Sequence, residues 1–210
     1  AWLSVFRDMG VTDIYGIDGG GASASELLIP ESCYKQQDLN EAFKPDRRYD
    51  FAVSMEVAEH LEPECALPFV EMLCAYAPVV LFSAAIPYQG GHFHLNEMWQ
   101  GEWKKLFANH GYHAYDFLRH KIWDDENVSL WYRQNSILYI EESWLTANEN
   151  IQSILEPTLS MPPNVVHPGF YEIKMRHPEA WADLSRFPFS KLFKAMPVAF
   201  LRAVSRRISK

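Results

Sequence analysis

Tyr88, His92, His94, Asn96 and Glu97 crowd into one short stretch, which places two imidazoles, a carboxylate, an amide and a phenol within reach of a common ligand. An unperturbed imidazole titrates near pH ~6.5, so it can act as a general base at neutral pH. His94 is the first candidate for that role and His92 the second, with Tyr88, Asn96, Glu97 and the nearby Trp99 as candidate substrate contacts. The spacing His92-Phe93-His94 would also turn both rings to one side of an extended segment, where Glu97 could add an oxygen ligand. A third firm ligand is not evident, and no metal is assigned from the sequence. A second group of residues consists of acids that end short apolar runs: Asp18 after Gly16-Ile17, Asp38 after Gln36-Gln37, and Glu56 after Ala52 to Met55. Strands of an open parallel sheet deliver ligand contacts at their carboxyl ends, and a carboxylate there can accept both hydroxyls of a ribose. The pattern points to a nucleotide-like ligand.

The elements that must position these residues alternate in type. Trp2, Val5, Phe6 and Met9 recur at helical spacing before Gly10, which predicts a helix over Ala1 to Met9. Strands are expected over Thr12 to Ile17, Cys33 to Gln37 and Asp50 to Met55. A helix follows over Glu62 to Ala75, kinked or delayed by Pro68, and then the continuous apolar strand VVLFSAAIP after Pro78. Asn96 to His110 reads as a helix anchored by Trp99, Trp103, Leu106 and Phe107 and stopped by Gly111. Two last strands, Tyr112 to Leu118 and Ser136 to Glu141, are expected to form an antiparallel, hairpin-like edge. Gly19-Gly20-Gly21 follows its acid instead of preceding one and matches no phosphate-loop spacing, so it reads as a turn. The class is α/β. Three segments are expected: an α/β domain over 1–142, a Pro-rich extension over 143–189 and a basic amphipathic helix over 190–210.

The chain has 210 residues, 48% of them hydrophobic, and no apolar run near the roughly 20 residues of a membrane span. Residues Ala1 to Met9 carry Arg7 and Asp8 and do not read as a signal peptide, so a cytoplasmic location is expected. Cys33, Cys65 and Cys74 lack the spacing of a disulfide framework or a zinc knuckle. Net charge is -8, but all seven basic residues after Ser185 face no acid in the same stretch, leaving an acidic body that excludes a broad nucleic-acid footprint. Within that basic tail Phe193, Met196, Phe200, Val204 and Ile208 form a helical apolar stripe. A cationic amphipathic helix of this kind can lie on the inner face of an anionic membrane or dock on the protein's own acidic body.

The acid-terminated runs, with EVAEHL at Glu56 to Leu61, SAAIPYQGGHFHLNEMW at Ser83 to Trp99 and WYRQN at Trp131 to Asn135, resemble the class I S-adenosylmethionine-dependent methyltransferases of glycan and small-molecule biosynthesis. The resemblance covers Ala1 to Glu142. It implies a Rossmann-like sheet of seven strands with helices on both faces, and S-adenosyl-L-methionine over the carboxyl ends of the first four. It also implies that Asp18 and Gly19 meet the ribose, Asp38 and Leu39 the adenine, and Met55, Glu56 and His60 the methionine part. Glu59 and His60 either contact the ligand or brace the helix entry; Val57 and Leu61 read as core. The family's first strand and glycine-rich turn have no counterpart, because Ala1-Trp2-Leu3 resembles the helix that follows that turn. An N-terminally truncated methyltransferase is therefore expected, without its central strand and with two sheet edges open.

Methyl transfer to a hydroxyl of a sugar or other small intermediate is the expected activity. It is an in-line displacement that asks the protein to align the acceptor, exclude water and remove a proton. Two competing readings are a non-catalytic, methyltransferase-like binding module and, more distantly, a nicotinamide-dependent oxidoreductase, which would leave EVAEHL unexplained.

Overall fold

The computed structural model describes residues 1–20, 23, 25–41, 43–159 and 161–176. The expected basic helix over 190–210, and the part of the Pro-rich extension beyond residue 176, lie outside the described residues. The chain divides into two compact units, Ala1–Val165 and Val166–Lys210, and the expected break after Glu142 falls inside the first of them. The second unit contains α8 (Pro168–Arg176). Among the described residues no helix is long and apolar enough to cross a membrane.

The first unit is α/β, with a mixed four-stranded sheet and a separate parallel pair. β1 (Gly16–Asp18) pairs with β2 (Tyr34–Gln36), Asp18 opposite Gln36. β3 (Ala52–Met55) runs parallel to β4 (Val79–Ser83), with Met55 opposite Ser83. β6 (Ile137–Glu141) lies antiparallel between β4 and β5 (Tyr112–Tyr115), giving the order β3-β4-β6-β5. The last two strands are an antiparallel pair as expected, but only β5 is an edge. The connection between them carries α4 (Phe117–Ile122) and α5 (Leu130–Asn135), so it is no tight hairpin. Among the described residues β3 and β1 each keep one edge that no strand covers. α1 (Trp2–Asp8) packs between these parts: Leu3 lies against Gly16 of β1, and the Phe6 ring meets that of Phe51 just before β3, 6.1 Å away.

Side-chain pattern explains the four-stranded sheet. β4 is buried at four of its five positions, as a strand covered on both faces must be. α2 (Ala66–Tyr76) lays Phe69, Val70, Leu73 and Cys74 on the sheet, and α3 (Gln100–Ala108) adds Trp103 and Phe107. Phe82 sits between them with its ring 5.0 Å from Trp103, 5.4 Å from Phe107 and 6.0 Å from Tyr139. α6 (Glu142–Thr146) and α7 (Glu149–Leu155) close the far end, where Leu145 and Leu155 join Val79, Tyr115 and Ile140.

Element boundaries shift where the backbone finds other partners. α2 begins at Ala66, not Glu62, which puts Pro68 in its first turn, where a missing N–H costs nothing. α3 begins at Gln100, not Asn96, because the preceding amides bond outside the helix: Leu95 and Asn96 N–H donate to the Glu59 carbonyl, and Met98 N–H to that of Ala85. That extended strap, and not a first helical turn, is what carries the residues after His94. β5 ends at Tyr115 because Asp116 turns away to receive Arg119.

Candidate functional site

The site lies where β3 and β4 end. Glu56 follows β3 with φ of 53°, and its N–H reaches both the carbonyl and the hydroxyl of Ser83 across the pair, at 3.0 Å each. Tyr88 and Phe93, on the loop after β4, have φ of 69° and 56°. These three are the described non-glycine residues in the left-handed region, a conformation costing of order 1–3 kcal/mol each and persisting only where surroundings over-determine it. Backbone strain is thus gathered around one loop cluster.

Buried amides fix the base of the cluster. Glu56 Oε2 accepts from Gln89 Nε2 at 3.0 Å and Oε1 from Asn135 Nδ2 at 3.1 Å, while Asn135 also donates to Gln89 Oε1 at 2.9 Å. Gln100 reaches Asn135 Oδ1 at 3.3 Å. Glu97 organises the loop above. Its carboxylate accepts the backbone N–H of Tyr88 at 2.8 Å and of Gly90 at 2.6 Å, and lies 3.1 Å from Nδ1 of His94. Both side chains of that last pair are almost covered. Glu97 therefore faces inward, while Tyr88, Phe93 and Leu95 stand exposed on the rim.

The tautomers of two histidines follow from their partners. Nδ1 of His60 lies 3.2 Å from the Phe93 carbonyl, which can only accept, so Nδ1 carries the proton. Glu97 plays the same part for His94. In each neutral ring Nε2 then holds a bare lone pair. The two rings meet edge to face with centroids 4.9 Å apart, and a Cβ on Gly91 would overlap the edge of the His94 ring that bears Nε2. Glu59 comes up from below: it is 1% exposed, and its Oε2 is buried with no hydrogen-bond partner. Burial pushes the Glu59 carboxyl up to about 8, and the charge of Glu56 adds to the rise.

The structure thus brings Glu56, Glu59, His60, Tyr88, His94, Asn96 and Glu97 into one place. His92 is not part of it; its exposed ring stacks edge-on against Phe93 at 4.0 Å. Met55 is buried under Glu56, and Trp99 sits half-buried just ahead of α3. Asp18 ends β1 and accepts the Gly20 N–H at 2.6 Å, and Gly19 beside it is exposed. Asp38 accepts Asn40 N–H at 2.9 Å in an Asx turn, and Leu39 packs against the main core. That turn is stitched to the other sheet's loops, since the Glu62 N–H donates to Asn40 Oδ1 at 2.9 Å and Cys65 Sγ reaches the Asn40 carbonyl at 3.4 Å. Sequence reasoning missed Gln89 and the buried state of Glu59. Asn135 was visible only as the end of WYRQN, with nothing to say that it would turn toward Glu56.

No family model, curated protein or solved structure matches the chain.

Proposed function

We propose that this protein takes part in S-adenosylmethionine-dependent methyl transfer to a hydroxyl of a sugar or another small biosynthetic intermediate. The observation that carries the reading is the meeting of the loops that end the two parallel pairs. The Asp38 turn after β2 is hydrogen-bonded to Glu62, so it adjoins the Glu56 to His60 loop after β3. An elongated nucleoside ligand asks for that arrangement, with carboxylates for its hydroxyls at one end and a charged loop at the other. The two sheets, with parallel pairs β1-β2 and β3-β4, are also compatible with a Rossmann-like fold.

The residues fit the cofactor unevenly. Asp18 and Asp38 are exposed and pair with no cation among the described residues, so beside the one backbone N–H that each accepts they can take hydroxyl or amine hydrogens. Glu56 has both oxygens engaged by amides and serves better as a brace than as a direct contact. The cofactor, when bound, supplies an electrophilic methyl carbon. The chain's part is to hold the acceptor and take its proton, and His94 Nε2 is the base at hand because Glu97 keeps the proton on Nδ1. Tyr88 and Phe93, exposed on the rim, can cover an acceptor ring.

The test is calorimetric titration of S-adenosylhomocysteine into the chain and into the full-length gene product. Binding that Asp18→Ala abolishes, in protein shown to be folded, supports the reading. No binding by either folded protein would favour the non-catalytic module.

A further inference from the structure

Three groups able to ligate a cation converge at the site. One carboxylate oxygen of Glu59, one nitrogen of His60 and one nitrogen of His94 lie within 4.8 Å of one another. Nδ1 of each ring is spoken for, by the Phe93 carbonyl and by Glu97, so the nitrogens free to converge are the two Nε2 atoms. Glu59 Oε2 is buried without a hydrogen-bond partner. Three electron pairs facing one another repel unless a proton or a metal ion lies among them.

We infer that Glu59, His60 and His94 form a binding site for a divalent transition-metal ion, with zinc the best-matched probe. Two imidazole nitrogens and one carboxylate oxygen are a donor set suited to zinc and its neighbours, and too nitrogen-rich for magnesium or calcium. Three protein ligands leave at least one coordination position open, as sites that work on a bound oxygen require. The outer contacts have the form that ligating histidines use: Glu97 on Nδ1 of His94 and a backbone carbonyl on Nδ1 of His60. Around a tetrahedral ion ligand atoms stand about 3.3 Å apart, so binding draws together any pair that is wider than that within the 4.8 Å limit. His60 is exposed, and its ring can make that movement. Gly91 keeps the Nε2 edge of His94 clear, where any side chain would overlap it.

The site stands independently of the methyl-transfer reading. Its role there does rest on that reading: the ion would hold the acceptor oxygen and acidify its hydroxyl, whose proton would pass to water, since His94 as a ligand no longer has a lone pair to take it.

The experiment is zinc titration of chelator-stripped protein with no nucleotide present, followed by elemental analysis after desalting. One zinc per chain is expected, and cobalt in its place gives visible d–d absorption. His60→Ala and His94→Ala each weaken zinc binding at least tenfold, and Glu97→Gln weakens it about tenfold through the outer contact. His113→Ala, at an exposed imidazole on β5, leaves it unchanged. Less than a tenth of a zinc per chain overturns the site, as does full stoichiometry in the folded double variant His60→Ala/His94→Ala. Should that double variant unfold, His60→Gln at the exposed position decides the same question, because unchanged affinity there removes His60 from the site. Since S-adenosylhomocysteine is titrated separately, either proposal can fail while the other stands.

Discussion

His94 Nδ1 lies 3.1 Å from Glu97 Oε1, and the same carboxylate receives the backbone N–H groups of Tyr88 and Gly90. One acid thus sets the tautomer of the candidate base and the path of the loop that covers it. Hydrogen bonds to a charged group contribute about 1.5–3 kcal/mol each, and removing their shared acceptor leaves several donors unpaired at once. Glu97→Gln keeps the shape, but its amide nitrogen cannot accept. It should lower stability by about 1–3 kcal/mol and shift the proton on His94 between its nitrogens. Nitrogen chemical shifts of the His94 ring that match wild type, with an unchanged melting temperature, would sink this account.

Glu56, Gln89 and Asn135 act as one unit. Asn135 donates to both of the others, so Asn135→Leu strands Glu56 Oε1, at about 1–3 kcal/mol for a buried group left unsatisfied, and leaves Gln89 Oε1 with the Ile86 N–H as donor. Combining it with Glu56→Gln should cost less than the sum of the single changes, because the two substitutions damage one network. A double-mutant cycle in urea measures the coupling, and strict additivity would show that the network is not shared.

The strand order depends on features a sequence reveals unevenly. The apolar run at Val79 to Ser83 announced a strand buried on both faces, and the alternating pattern gave the α/β class. The pairing of β6 against β4 was hidden, since nothing in Ile137 to Glu141 names its neighbour. The start of α3 was misplaced because the Asn96 and Leu95 amides bond to Glu59, a partner distant in sequence. The site was half legible for the same reason. His94 and Glu97 stood out by spacing, whereas Glu59 and His60 read equally as ligand contacts or as braces of a helix entry until the loop after β4 folded His94 onto them. The methyltransferase resemblance supplied Asp18 and Asp38, and the structure leaves them exposed at adjacent strand ends.

Among the described residues Arg119 is the largest fully buried charged side chain. It is 1% exposed, donates from Nε to Asp116 Oδ1 at 2.8 Å, pairs with Asp116 again through Nη2, and reaches the carbonyls of Gln134 at 3.3 Å and Pro163 at 3.1 Å. Removing one partner of a buried pair leaves the other charge uncompensated, typically at 3–5 kcal/mol. Arg119→Met should destabilise by that amount and release the segment around Pro163. Hydrogen exchange at residues 161–165 reports the release; protection equal to wild type in the variant would refute it.

Arg48 and Glu141 give the clearest pH signature. Burial works to raise the Glu141 pKa, but hydrogen bonds from Arg48, at 2.9 Å, and from Ser143 outweigh it and leave the carboxyl below its ordinary value. A carboxyl whose folded pKa is depressed stabilises the fold above its unfolded pKa of about 4.3, and the contribution is lost as pH falls through the lower folded value. Because Arg48 is half exposed, the effect should stay below about 1 kcal/mol. The urea midpoint of wild type should therefore fall more steeply between pH 5 and about 3 than that of Glu141→Gln; parallel slopes would remove the pair from the pH dependence.

Cys74 tests whether the α2 face is closed. Its thiol is buried against the sheet, and burial first, then the charge of Glu141, push its pKa up to about 12. The thiolate is the reactive form, so at pH 8 Cys74 holds almost none of it and presents little surface to a reagent. Cys33 is half-buried and outside that core. Iodoacetamide at pH 8 should modify Cys33 well before Cys74, with Cys74 reacting at the rate at which α2 opens from the sheet. Adding urea below the unfolding midpoint should then speed Cys74 labelling far more than Cys33 labelling. Mass spectrometry of the peptides reads both rates, and equal labelling in native buffer would mean that α2 does not stay docked over β3 and β4.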